Sequence, residues 1–101
     1  MQTQQTYQRT EKGQKLVAHA MTKMIIWWNE EGIRLGNGNE SFTMHSRDNI
    51  GNRRSHNADL GISRLKKYAY TWKTRIKLAI IYDMHTGKPL WRFENGSWFM
   101  V

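Results

Sequence analysis

The stretch from Arg75 to Val101, RIKLAIIYDMHTGKPLWRFENGSWFMV, leaves the fewest folds open. Ile76, Leu78, Ile80 and Tyr82 recur at every second position, the period of a half-buried strand. Asp83-Met84-His85-Thr86-Gly87-Lys88 then has the composition of a hairpin connection, with Gly87 free to take positive φ. Pro89 to Glu94 continues as a second strand. Asn95-Gly96 is the strongest two-residue hairpin signal in the chain, because a type I′ turn needs positive φ at both central positions. Ser97 to Val101 completes a three-stranded antiparallel meander.

The two turns together set a register. Pairing Asp83 with Lys88 puts Ile81 opposite Leu90, Ile80 opposite Trp91, Leu78 opposite Phe93 and Lys77 opposite Glu94. Pairing Glu94 with Ser97 puts Phe93 opposite Trp98 and Trp91 opposite Met100. One face should then hold Ile76, Leu78, Ile80 and Tyr82 with Trp91, Phe93, Trp98 and Met100. The other should hold Lys77–Glu94 and Asp83–Lys88 as opposite-charge cross-strand pairs. A slip of one residue would exchange the two faces of a strand.

Upstream, Leu16, Val17, Ala20, Met21, Met24, Ile25, Trp27 and Trp28 fall on one helical face. They predict a helix from about Gln14 to Glu31, stopped by Gly32 and covering the sheet. Residues 1–10 are Gln- and Thr-rich and read as a flexible N-terminal arm, with residues 11–101 as a single small domain. Ile33-Arg34-Leu35 and Ser41-Phe42-Thr43-Met44 flank Gly36-Asn37-Gly38-Asn39, the makings of a short hairpin. His45 to Asn57 is polar and reads as an exposed loop. Asn57 or Asp59 caps a second helix from about Ala58 to Lys73, with Leu60, Leu65, Ala69 and Trp72 facing inward. Leu65, Ala69, Trp72, Ile76 and Ile80 also fit one continued helix, but the Thr residues and the alternating RIKLAIIYD favour a break near Thr71–Thr74. The expected fold is α+β: two helices packed on a C-terminal three-stranded antiparallel β-meander.

A chain of 101 residues is enough for one small domain. It has no Cys, which excludes disulfides, a thiol nucleophile and Cys-ligated zinc. No apolar run has the length of a membrane span, and the first residues lack an apolar signal core, so a cytoplasmic protein without membrane contact is expected. Sixteen Lys and Arg against eight Asp and Glu leave a net charge of +8, which points to an anionic partner.

That charge is concentrated. Arg53, Arg54, Arg64, Lys66, Lys67, Lys73, Arg75 and Lys77 are half of the sixteen basic residues, and Asp59 is the one acid between residues 53 and 77. Tyr68, Tyr70 and Trp72 are interleaved with them. Basic side chains neutralise phosphates and release counterions, while aromatic faces stack on exposed bases. Arg53, Arg54, Arg64, Lys66, Lys67, Tyr70, Lys73, Arg75 and Lys77 are therefore the expected contacts to DNA or RNA. The competing reading of the segment is a solvated helix flank over core aromatics.

Within the segment, Leu60-Gly61-Ile62-Ser63 resembles the turn tetrapeptide of helix-turn-helix DNA-binding units. The resemblance covers those four residues and implies a following helix in the major groove. The preceding NRRSHNAD does not read as a first helix.

Chemistry has fewer candidates. His45 and His56 share the polar loop with Asp48, Asn49 and Asn57, but no pair has a recognised metal spacing, so no metal or cofactor is expected. His19 falls on the apolar helix and His85 at a hairpin tip. Arg75, Lys77 and Arg92 on the polar sheet face would suit a metal-independent ribonuclease. There is no Gly-rich phosphate loop, nucleophile elbow or acidic catalytic pair. The sequence thus favours a small, basic, non-enzymatic nucleic-acid-binding protein, of a composition seen in phage and mobile-element regulators. The second reading is an inhibitor that engages a host or defence protein through exposed aromatics or loop 36–57, and the ribonuclease is third.

Overall fold

The described strands each pair antiparallel with their neighbours in one five-stranded sheet. The computed structural model describes residues 20–48 and 57–101. The N-terminal arm, positions 14–19 of the expected first helix, His19, Arg53, Arg54 and His56 lie outside them. The elements are β1 (Thr22–Trp28), α1 (Glu30–Leu35), β2 (Ser41–His45), α2 (Ala58–Thr71), a 3₁₀ turn (Lys73–Arg75), β3 (Ile76–Asp83), β4 (Pro89–Glu94) and β5 (Ser97–Met100). The sheet order is β2-β1-β3-β4-β5. The expected meander is present as β3-β4-β5, extended by two strands on the β3 side.

Those two strands correct the reading of the N-terminal half. Thr22–Trp28 is not the end of a long helix but a strand paired on both sides. The run Met24-Ile25-Ile26-Trp27-Trp28 is apolar at every position, so its periodicity cannot separate a helix from a strand flanked by partners. β-branched and aromatic residues, together with two neighbouring strands, decide for strand. Glu30 and Glu31 consequently sit in the first turn of α1, where the helix dipole favours acids. Asn29 caps that helix by accepting from the Gly32 amide at 2.9 Å. Gly32 is not a helix stop. It is buried within α1, and a Cβ there would stand 2.5 Å from the Arg75 carbonyl oxygen and 2.9 Å from Trp28 Cβ. Ile33–Leu35 likewise belongs to α1, so the expected hairpin at Gly36–Asn39 is instead the exit from a short helix into β2.

The meander's own register differs by one residue in its first half. The Asp83 amide donates to the Lys88 carbonyl at 2.9 Å, closing the turn as expected, with Gly87 at φ 74°. Tyr82 then pairs Pro89, but Ile81 pairs Trp91, so Leu90 is an extra residue in a β-bulge. The bulge moves Ala79 opposite Phe93 and Ile80 opposite Arg92. Leu78, Ile80 and Tyr82 therefore leave the Trp91–Phe93 face. The expected Lys77–Glu94 pair is replaced by an Arg92–Glu94 contact of 3.2 Å along one strand. Asp83 does not pair with the Lys88 ammonium; its carboxylate accepts the Thr86 and His85 amides, which hold it below its ordinary pKa. The second turn has the expected register, with Asn95 at φ 55° and Gly96 at φ 80°.

Two rungs make the covered face: Met44–Met24–Ile81–Trp91–Met100 and Phe42–Ile26–Ala79–Phe93–Trp98. α2 packs on it with Leu65 and Ala69, which form one buried cluster with Met24, Ile26, Ala79, Ile81 and Phe93. The rung between them, Thr43–Ile25–Ile80–Arg92–Phe99, faces the other way. α2 ends where the Thr-rich break was expected, with Asn57 capping its start by accepting from the Leu60 amide. Among the described residues, one long helix, α2, covers the sheet. Among the described residues, no helix is long and apolar enough to cross a membrane.

Candidate nucleic-acid interface

α2 is held against the sheet end by a buried polar cluster. Asp48 is 2% exposed and accepts from the Met21 amide and from Ser46 Oγ, each at 2.8 Å. Ser46 Oγ in turn accepts from the Thr22 amide at 3.2 Å. These bonds satisfy a carboxylate that burial would otherwise make costly. Gly61 is buried against this cluster, and a Cβ on it would collide with the Asp48 carboxylate. This is the structural role of the Leu60-Gly61-Ile62-Ser63 tetrapeptide: it lies inside α2 and makes no turn between two helices.

The helix period divides the expected contact residues between two flanks of α2. On the flank toward β4, the Lys66 ammonium sits 3.0 Å from the centre of the Trp91 ring and 5.9 Å from that of Trp98. Burial there pushes the Lys66 pKa down from its usual value, while the aromatic faces attract the cation. Near the C-terminal end, exposed Tyr70 receives a hydrogen bond of 3.1 Å from Lys73. Arg75, in the 3₁₀ turn, stands 5.2 Å over the Trp72 ring and 3.6 Å from the Glu31 carboxylate. Lys77 is exposed at the start of β3. The register sets Arg92 opposite Ile80.

The flank toward β2 is different. Arg64 and Lys67 line a hollow of about 590 Å³ with Arg47, His45, Phe42 and Tyr68. The Arg64 guanidinium donates to the Arg47 carbonyl at 2.8 Å, which ties the helix to the segment after β2. A second hollow of about 270 Å³ adjoins it, lined by Trp28, Phe42, Tyr68, Trp72 and Arg75. Phe42 and Tyr68 belong to both walls, with ring centroids 6.2 Å apart. The two hollows form one groove between α2 and the edge strand β2, basic at one end and aromatic at the other. Among the described residues, no Asp or Glu lines either part.

Sequence reasoning missed Arg47, Phe42 and Trp28. Their signal was available only after 22–28 and 41–45 were read as paired strands, because that pairing carries Phe42 across to α2. Among the described residues, no three His, Asp or Glu side chains are placed to hold a metal ion. No protein-family model, curated protein or solved structure matches this chain.

Proposed function

We propose that this protein binds nucleic acid without catalysing a reaction on it, through the groove between α2 and β2. The observation that carries the reading is the convergence of Arg47, Arg64 and Lys67 on one hollow, with no carboxylate among its described lining residues, in a chain of net charge +8. Three cations, two from α2 and one from the segment after β2, beside aromatic rings, supply both phosphate neutralisation and base contact. The contact set differs from the one expected from sequence. Arg64 and Lys67 stay in it and Arg47 joins. Lys66 serves packing on Trp91, and Lys73, Tyr70 and Lys77 lie outside the groove.

The test is a titration of oligonucleotide binding against salt. Replacing Arg47, Arg64 and Lys67 together by Glu should abolish most affinity in a folded protein. Each phosphate-binding cation removed should flatten the slope of log affinity against log salt by about 0.7–0.9. Absence of binding at about 50 mM salt, where phosphate binding is strong, would remove the reading.

A protein partner is the second reading, and a separate surface favours it. β5 is an edge strand; its Phe99 and Met100 and the Val101 that follows it are 53%, 75% and 67% exposed. Exposed apolar edges are templates for strand addition by another chain.

A further inference from the structure

Phosphates need only the cations of the groove, and its aromatic end calls for another occupant. Phe42 and Trp72 are 40% and 37% exposed there rather than drawn into the core. With Trp28 and Tyr68 they wall a hollow of about 270 Å³, at the lower edge of ligand-site volumes, which suits a single flat ring system. Arg75, 3.6 Å from the Glu31 carboxylate, lies over Trp72 at the same wall. Asn39 and Ser41 stand at the rim and offer polar groups to the edge of a ring.

Resting on the nucleic-acid reading of this groove, we propose that it takes a single-stranded segment. The phosphates follow Arg47, Arg64 and Lys67, and one unpaired base enters the hollow to stack against Trp72, Phe42 or Tyr68. The bases of a duplex already cover each other's faces, so a wall of aromatic faces is of use only to a base outside a double helix. The charge argues against the other occupants. A second copy of a chain of net charge +8 would bring cations to a cationic rim, whereas a polyanion neutralises it. The groove is built from the rings and cations used by sequence-tolerant single-strand binders, where stacking and backbone charge work together.

The experiment compares four probes of about eight nucleotides, a length within the range of single-strand sites. They are single-stranded DNA, single-stranded RNA of the same sequence, the DNA duplex, and a single strand with abasic positions in its middle. Anisotropy of a terminal label reads affinity, and each probe is titrated with salt. Either single strand should bind more tightly than the duplex. Removing the bases should weaken binding by about 5- to 150-fold, the range of one base–aromatic stack. Trp72→Leu and Phe42→Ala should each bring the intact strand toward the abasic level and leave the salt slope unchanged. The two residues lie on different elements, and the abasic comparison uses the unaltered protein, so poor folding of one variant does not spoil the test. Equal affinity for intact and abasic strands, or tighter binding of the duplex, would overturn the stacking site while the nucleic-acid reading stands. Failure to bind any probe would overturn both.

Discussion

The two flanks of α2 carry the same kind of residue and use it differently. Lys66 and Lys67 are neighbours in sequence, but the helix turns one toward β4 and the other toward β2. Lys66 lies over Trp91 and Trp98 and closes that side of the helix–sheet interface. Lys67 stays exposed and lines the open groove with Arg64 and Arg47. A basic run is therefore not one surface. On one side the wide indole faces of β4 and β5 lie under the helix and capture its cation. On the other, β2 is a short edge strand that offers Phe42 and Met44, and the interface stays open.

The most severe way to break this comparison is to remove the floor that both flanks share. Phe93 is fully buried beneath α2 and contacts Trp98 with centroids 5.0 Å apart. Phe93→Ala should cost about 3–5 kcal/mol, measured by denaturant unfolding, and should loosen both sides together. A smaller effect sharpens the difference. Lys66→Ala removes a cation held by two rings and should cost about 0.5–2 kcal/mol, with the salt dependence of binding unchanged. The smallest stability effect belongs to Lys67→Ala, which should stay within about 0.5 kcal/mol. Its signature is in binding, where the salt slope should flatten by about 0.7–0.9. If Lys66→Ala changed the slope and Lys67→Ala did not, the roles of the two flanks would be exchanged.

Much of the fold was legible because local chemistry dictated it. Asn95-Gly96 and Gly87 specified their turns through positive φ, and Asn57 marked the start of α2. The Thr-rich break before β3 was also local. The candidate site was legible only in part. Arg64 and Lys67 were visible as charge, whereas Arg47, Phe42 and Trp28 come from segments whose pairing was not visible.

Three features were decided by tertiary structure. Met24-Ile25-Ile26-Trp27-Trp28 is a strand because β2 and β3 pair it on both sides, and a continuous apolar run states no period that could show this. Leu90 is a bulge although the turn beside it forms as the sequence indicates. With Leu90 inserted, Ala79 and Ile81 face α2, and the small Ala79 lets the helix approach above Phe93. In the unbulged register, Leu78 and Ile80 would take those places. The division of the basic run between a closed and an open flank is the third. Periodicity and turn chemistry act over a few residues, so the sequence by itself determined the two turns of the meander, the Asn57 cap and α2. Which strand lies beside which, and hence where the groove opens, depends on contacts between residues far apart in the chain, whose energies appear only once the sheet is assembled.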